Sequence, residues 1–178
     1  APVVVGPVDG EGGTASGIWT LDQVADYEKQ GLWPKPILDA ELYAWGNNGS
    51  GELGLGDTTN RSSPVQVGAL ITWSKIAGGH LFSLAIKNDG TLWSWGNNTN
   101  GKLGQGNTTS YSSPVQVGAL TTWAQIAAGE QHSIAGKTDG TVWAWGDGSQ
   151  GQLGQGNTTD YSSPVQVGAL TNWAQSTA

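Results

Sequence analysis

Histidine and serine side chains could support nucleophilic catalysis if a base lay within hydrogen-bond reach of a hydroxyl group. The chain has two histidines, His80 and His132, and His132 is followed directly by Ser133. The His132-Ser133 pair lies in a segment with strand-like alternation, where successive side chains point to opposite faces. The two side chains therefore cannot act as base and nucleophile for each other, and we expect a structural role for His132.

Carboxylates offer a second possible chemistry, since glycoside cleavage uses two Asp or Glu side chains across one bond. The candidates Glu52, Asp57, Glu130 and Asp147 fall in turns or at strand ends of different parts of the chain. Residues 147–151 superficially resemble the start of a calcium-binding loop, but the further acids and the distant glutamate are missing. The sequence thus predicts no catalytic residue, no metal site and no cofactor, and we expect a protein that is not an enzyme.

Composition and charge exclude further classes of function. The 178 residues suit a single domain, and the absence of cysteine rules out disulfides, thiolate zinc sites and thiol redox chemistry. No apolar run approaches the roughly 18 residues of a membrane span. The net charge is −7, and the seven Lys and Arg residues are scattered singly. Because non-specific nucleic-acid binding depends on clustered basic residues, we expect neither nucleic-acid binding nor membrane insertion.

A repeat of 50 residues dominates the organisation of the chain. The segment Pro-Val-Gln-Val-Gly-Ala-Leu recurs letter for letter from Pro64, Pro114 and Pro164, and a Leu-Gly-x-Gly turn recurs at 53–56, 103–106 and 153–156. Self-similarity at a fixed period of this length is typical of solenoids and propellers. A repeat architecture is therefore predicted from about residue 39 to the end of the sequence.

Within each unit the hydrophobic period is two, which indicates strands. We predict strands at about 73–77, 82–87 and 91–96, with a short fourth strand of the 65–67 type. Asp89-Gly90 between the second and third strands is a strong hairpin signal, and a two-residue type I′ turn is the expected loop. Each unit should thus be a small antiparallel sheet.

Tryptophan is the residue that should hold these sheets together. A small sheet cannot bury a tryptophan-rich face alone, whereas successive sheets packed around an axis can. Burial of each aromatic side chain contributes a few kcal/mol. We predict that the cores of the blades are built from Trp45, Trp73, Trp93, Trp95, Trp123, Trp143, Trp145 and Trp173.

The same residues carry a family resemblance. Residues 126–135, then 139–146, then Gly151-Gln152-Leu153-Gly154, resemble the repeat of the regulator-of-chromosome-condensation (RCC1) family. The similarity covers roughly residues 39–178 at the family's spacing. It implies an all-β fold of RCC1-type β-propeller blades, preceded here by an extended arm and one short helix.

The length of the repeat region does not close a propeller. It holds about 2.8 units, and the last unit stops within a predicted strand that begins at Trp173. An open stack of blades exposes an apolar face at each end. We therefore expect either that the chain is part of a longer polypeptide or that copies associate, so that a homo-oligomer covers the open edges.

Residues 1–36 form a separate, acidic segment ahead of the repeat domain, residues 37–178. Gly6 to Gly17 has the composition of an extended linker. A capping box at Thr20 and Gln23, followed by a stop at Gly31, predicts a short helix, which is marginal unless it docks on a partner. The predicted anchoring residues are Trp19, Leu21, Val24, Trp33 and Pro34.

Residues 17–34 are similar to a short module in structural proteins of tailed bacteriophages. The resemblance implies a place in a virion, as a tail fibre, adhesin or surface decoration. Its partners would be other virion proteins, copies of itself or a receptor on the host surface. The expected location is the surface of the extracellular particle.

A soluble propeller that binds a cellular protein is the alternative, since RCC1 relatives promote guanine-nucleotide exchange or inhibit enzymes. Individual specificity could reside only where the loops of the three units differ. The candidate loop contacts are Arg61, Tyr111 and Tyr161, although packing at the rim of the blades is the favoured role for the two tyrosines.

Overall fold

The computed structural model describes residues 5–7, 14–16, 41–69 and 72–173. The chain divides into two units, Ala1–Leu38 and Asp39–Ala178. In the first unit, β1 (Val5–Pro7) pairs antiparallel with β2 (Thr14–Ser16). Part of the segment predicted as an extended arm is therefore a ladder, in which backbone groups bond to each other. The predicted helix and its anchoring residues lie outside the described residues.

The second unit consists of antiparallel sheets in sequential order. Its first sheet has two strands, β3 (Tyr43–Gly46) and β4 (Arg61–Gln66). Two four-stranded sheets follow, and we call these three sheets blades 1, 2 and 3 in chain order. Blade 2 contains β5 (Trp73–Gly79), β6 (Phe82–Lys87), β7 (Leu92–Gly96) and β8 (Tyr111–Gln116). Blade 3 contains β9 (Trp123–Ala128), β10 (His132–Lys137), β11 (Val142–Gly146) and β12 (Tyr161–Gln166).

The prediction of small antiparallel sheets is confirmed, and blades 2 and 3 have the same pairing. Ser83 lies opposite Trp95 and Ala85 opposite Trp93, and the pairs Ser133–Trp145 and Ala135–Trp143 repeat that register. A small residue therefore stands beside each large indole across the ladder, so that a face of alternating size is formed. The only helical turn among the described residues is a 3₁₀ turn at Thr99–Gly101.

The fourth strand of each unit is longer than predicted. The strands β4, β8 and β12 begin at Arg61, Tyr111 and Tyr161, respectively. Each of them therefore contains a proline in its interior. Each of these strands is the outermost of its sheet, where a missing N–H breaks no ladder hydrogen bond. Edge position thus explains why proline, a signal against a central strand, is compatible with this one.

The hairpin at Asp89-Gly90 is confirmed, but the predicted type I′ turn is wrong. Gly90 has φ of +77°, whereas Asp89 does not adopt positive φ. The Gly90 N–H donates to the Lys87 carbonyl, and the Lys87 N–H donates to Thr91 O, which closes a loop of three residues. Asp89 Oδ1 accepts hydrogen bonds from the Thr91 N–H and hydroxyl group. These two bonds hold the aspartate in an ordinary conformation and leave the left-handed one to glycine.

The main core lies between blades 2 and 3. Trp123, Ala135 and Trp145 from blade 3 pack against a set of buried residues from blade 2 and its loops, namely Phe82, Leu84, Ile86, Leu92, Leu103 and Val117. A smaller cluster of Trp73, Ala85 and Trp95, with Leu42 against it, joins blade 2 to the two-stranded blade 1. Each full blade is therefore stabilised by burying its face on a neighbour.

Candidate functional site: the joints between blades and the groove beside them

A loop of blade 1 reaches blade 2 and a loop of blade 2 reaches blade 3, and each accepts hydrogen bonds there through its backbone. The Glu52 carbonyl accepts bonds from Trp95 Nε1 and Ser83 Oγ, both at 2.9 Å. One unit later the Lys102 carbonyl accepts bonds from Trp145 Nε1 at 2.9 Å and Ser133 Oγ at 2.7 Å. We call this arrangement the joint. Because a carbonyl does the accepting, the side chain at this position is free to differ between units.

The glycines of the loop let it fit against the next blade. Gly104 has φ of +73°, and a Cβ atom there would lie 2.8 Å from Trp145 Nε1. Gly101 has φ of +76°, and a Cβ atom there would collide with the Cα of Ser162. The Gly106 N–H adds a backbone hydrogen bond to Ser162 O at 2.7 Å. Left-handed backbone and close approach thus require glycine at the joint.

Most, but not all, of the eight tryptophans predicted to form the cores of the blades are buried or half-buried. Trp73, Trp95, Trp123 and Trp145 are buried, and Trp93 and Trp143 are half-buried. Trp45 and Trp173 depart from the prediction, since they are 60% and 41% exposed. The described residues provide no blade before Trp45 and none after Trp173, and within them neither indole packs on a preceding or following blade.

A lysine covers the half-buried tryptophan in each full blade. Lys87 Nζ lies 3.5 Å from the centroid of the Trp93 ring, and Lys137 Nζ lies 3.6 Å from that of Trp143. Burial lowers the pKa of Lys87, and the nearby Asp89 partly opposes this effect. The ammonium group over an indole face is a cation–π contact, which stabilises the charged form within an apolar cluster.

Lys102 adds a polar contact between blades 2 and 3. Its side chain is 1% exposed, and Nζ donates to Gln131 Oε1 at 2.7 Å and to the His80 carbonyl at 3.3 Å. Burial lowers the pKa of Lys102, while the charge of Glu130 raises it. The equivalent positions carry Glu52 and Gln152, so this ammonium contact is specific to one joint.

The three candidate loop contacts are engaged within their own units. Arg61 forms an ion pair with Asp57 at 2.6 Å and donates to the Thr59 carbonyl. The hydroxyl groups of Tyr111 and Tyr161 accept hydrogen bonds from Asn107 and Asn157, and both rings pack against the main core. Their geometry is that of residues that fix the rim of a blade.

The residues first considered for catalysis also have structural contacts. The Ser133 hydroxyl donates a hydrogen bond to the Lys102 carbonyl. His132 is half-buried; burial lowers its pKa, and the charge of Asp147 partly opposes this effect. Asp147 accepts hydrogen bonds from the Ser149 N–H and from Gln152, and the Ser149 bond is the main cause of its lowered pKa. The part of the chain that the structure describes brings together no group of three or more His, Asp or Glu side chains that could hold a metal ion.

An apolar groove of about 310 Å³ lies beside the joint between blades 2 and 3. Trp123 and Trp143 contribute its aromatic walls, and Leu120, which is 48% exposed, lies at its edge. The remaining lining residues are Gly104, Gln105, Gly106, Val117, Gly118, Ser163 and Pro164.

Within the described ranges no helix is long and apolar enough to cross a membrane.

Sequence reasoning missed the joint itself and the buried Lys102. The Gly-x-Leu-Gly turns at 51–54, 101–104 and 151–154 are evident in the sequence. Their second residue varies between the units, and nothing in the sequence indicates that the carbonyl of this residue bonds to the next blade. The usable signal is a fixed spacing: Ser83 and Trp95 follow Glu52 by 31 and 43 residues, and Ser133 and Trp145 follow Lys102 by the same numbers.

Antiparallel four-stranded sheets that pack face to face in chain order define blades of a β-propeller. The chain matches the sequence model of the regulator of chromosome condensation (RCC1) repeat over residues 39–86, 89–135 and 139–178. A second model of the RCC1 repeat matches residues 73–102 and 123–152. The chain therefore belongs to the RCC1 repeat family.

Solved structures of RCC1-type propellers share this fold. Prp20p from Saccharomyces cerevisiae, whose structure was described with its binding to Gsp1p and histones, is 24% identical with a TM-score of 0.66, over 74% of this chain and 35% of that one. Human WBSCR16 is 26% identical with a TM-score of 0.65, over 72% and 33%. Yeast RCC1 (Prp20) bound to Kap60 is 23% identical with a TM-score of 0.65, over 72% and 33%. The chain spans about a third of the length of these proteins.

Proposed function

We propose that the chain is a non-enzymatic protein-binding scaffold that uses the groove beside its joint. The observation that carries this proposal is the apolar groove with Trp123 and Trp143 in its walls and the exposed Leu120 at its edge. Exposed apolar surface of this kind is typical of a protein-interaction site. Protein binding also agrees with the partners of the structural neighbours, namely Gsp1p, histones and Kap60.

The polar side chains around the loops support a rigid surface in preference to a reactive one. Asn98 is fully buried, donates to the carbonyls of Asn107 and Thr109, and accepts a bond from the Leu103 N–H. The Ser133 hydroxyl and the Asp147 carboxylate are also engaged in hydrogen bonds. Groups held in this way position backbone and apolar side chains for contact.

Replacing Leu120 by glutamate should reduce recovery of a bound protein by about tenfold, because a charge at the groove edge must be desolvated on binding. The purified chain is used as bait in an extract of its source, and mass spectrometry identifies the proteins recovered. Leu170 is the matched control, since it holds the same place in the last unit and is also exposed. Equal loss with Leu170→Glu and Leu120→Glu would argue against the groove.

A narrower proposal places this scaffold in the virion of a tailed bacteriophage, at the particle surface, with residues 1–36 as the anchor to other virion proteins. It rests only on the resemblance inferred from the sequence of residues 17–34. Deletion of residues 1–36 should abolish incorporation into particles, measured by mass spectrometry of purified virions, while residues 37–178 keep their β-rich circular dichroism. Undiminished incorporation would remove the anchoring role.

The alternative is a soluble RCC1-type propeller of the exchange-factor or inhibitor type. The neighbour described with its binding to Gsp1p favours testing the alternative by binding of the chain to that protein. Binding of Gsp1p, or accelerated release of a fluorescent nucleotide from a small GTPase in the presence of the chain, would support the alternative over the virion role.

A further inference from the structure

The ammonium group of Lys137 lies at the aromatic wall of the groove. Lys137 on β10 pairs with Trp123 of β9, and Ala135 on the same strand pairs with Trp143 of β11. Paired residues share a face of a sheet, as do residues two apart on one strand. Lys137 therefore projects from the same face of blade 3 as the two tryptophans that line the groove. Its Nζ lies 3.6 Å from the centroid of the Trp143 ring and 5.0 Å from that of Trp123.

This ammonium group has no polar partner within the part of the chain that the structure describes, since Nζ of Lys137 donates no hydrogen bond and forms no ion pair there. Lys102, by contrast, donates to Gln131 and to a backbone carbonyl. The acid next to Lys137, Asp139, directs Oδ1 to the N–H and hydroxyl groups of Thr141. Burial lowers the pKa of Lys137, and the charge of Asp139 only partly opposes this effect. An anion beside Nζ would therefore stabilise the charged form.

The groove itself is lined by uncharged residues, most of them apolar or glycine, and Leu120 is exposed at its edge. A large apolar side chain therefore suits the groove. The ammonium group of the half-buried Lys137 remains in contact with solvent beside it. Charge complementarity then favours a carboxylate next to that apolar side chain.

We propose that the groove binds a segment of a partner protein in which a large apolar side chain stands next to an aspartate or glutamate. The apolar side chain packs between Leu120 and the walls formed by Trp123 and Trp143, and the carboxylate accepts a hydrogen bond from Lys137 Nζ. This inference rests on the proposed function and names the chemistry of the segment that the scaffold recognises.

A single acid, and not a run of acids, is the expected feature of the partner segment. The chain carries a net charge of −7, so a strongly acidic segment is repelled at long range. The attraction at the groove comes from one ammonium group that acts at short range, because salt screens charges farther apart. Selection should therefore favour an isolated carboxylate beside an apolar residue.

Lys87 provides a matched control for Lys137. It holds the same place in blade 2, and its Nζ lies 3.5 Å from the centroid of the Trp93 ring. The side chain of Lys87 is only 8% exposed, whereas Lys137 is half-buried. The two lysines thus make the same contact with an indole but differ in their access to a ligand.

The first experiment selects short random peptides on the purified full chain. The peptides are displayed through their C-terminal ends, so that no free terminal carboxylate is present. Sequencing of the bound peptides should show enrichment of an aspartate or glutamate beside a large apolar residue. Selection on the Lys137→Gln variant should retain the apolar preference and lose the acidic one, while the Leu120→Glu variant should retain neither.

The second experiment measures the affinity of the most enriched peptide and of its analogue with an amide in place of the carboxylate, by fluorescence anisotropy. Loss of one charge-assisted hydrogen bond should weaken binding of the analogue to wild type by about tenfold. Lys137→Gln should weaken the acidic peptide by a similar factor and leave the analogue unaffected, Lys137→Arg should restore binding of the acidic peptide, and Lys87→Gln should bind both peptides as wild type does. Added salt should weaken only the acidic peptide.

The outcomes separate this inference from the proposed function. Acidic and amide peptides that bind equally, or an equal loss with Lys87→Gln, would overturn the role of Lys137, while loss of binding in Leu120→Glu would still support protein binding at the groove. Selection that yields no peptide, or peptides that Leu120→Glu binds as well as wild type does, would overturn both. Thermal melting by circular dichroism verifies that each variant is folded. If Lys137→Gln is not, the two peptides on the wild-type chain decide the question.

Discussion

Replacement of Trp145 by alanine should lower the free energy of unfolding by about 3–5 kcal/mol, the usual cost of removing a buried aromatic side chain. Trp145 is completely buried in the main core, and its Nε1 donates to the Lys102 carbonyl of the preceding blade. The substitution therefore creates a cavity between two blades and leaves a buried carbonyl with one hydrogen bond fewer. Chemical denaturation followed by tryptophan fluorescence, with circular dichroism as a second probe, measures the change.

Trp45 provides a matched control for this experiment, because it holds the same place in the repeat and no blade precedes it within the described residues. Its indole is 60% exposed. Trp45→Ala, measured in dilute solution so that association does not contribute, should cost less than about 1 kcal/mol, as is usual for exposed sites. Equal losses for the two substitutions would show that packing between blades is not the source of the stability.

Gly104→Ala should destabilise the protein by at least about 2 kcal/mol more than Gly118→Ala, because only the first adds a clash in the core. Both glycines have positive φ, +73° and +61°, so both substitutions carry the cost of a left-handed alanine, about 1 kcal/mol. At Gly104 the new Cβ would also lie 2.8 Å from Trp145 Nε1, whereas nothing lies within 4 Å at Gly118. The difference between the two free energies of unfolding therefore isolates the fit of the loop against the next blade.

The Gly104→Ala variant also separates local strain from loss of the joint. If the joint is lost in this variant, the indoles of blade 3 no longer pack on blade 2. The tryptophan emission maximum of the variant should then shift to longer wavelength before global unfolding. A Gly104→Ala protein as stable as Gly118→Ala, with an unchanged emission maximum, would mean that the loop is not held against Trp145.

Much of the fold could be predicted because the repeat supplies the same evidence more than once. The alternation of β6 and β7, the hairpin at Gly90 and the tryptophan faces all follow from period-two patterns that recur 50 residues apart. The turn type could not be predicted with the same success. Whether Asp89 or only Gly90 is left-handed depends on the hydrogen bonds to Thr91, and these form only once the strands pair.

The joint and the exposure of individual tryptophans are beyond this kind of reasoning. The residues 52, 102 and 152 differ in charge, yet the first two accept the same pair of hydrogen bonds through their carbonyls. Trp45 and Trp145 sit in nearly identical local sequences, Tyr-Ala-Trp-Gly and Trp-Ala-Trp-Gly, yet one is exposed and the other is fully buried. Local sequence does not contain the neighbour that makes the difference.

The sequence by itself determined the unit of this protein, a small antiparallel sheet with tryptophans on one face, because strand period and turn residues act over short distances along the chain. Only the tertiary structure decided which tryptophans are covered and which carbonyl accepts their N–H groups. Burial and inter-blade hydrogen bonds depend on contacts between residues 29 to 60 positions apart, and these exist only when one blade lies against the next.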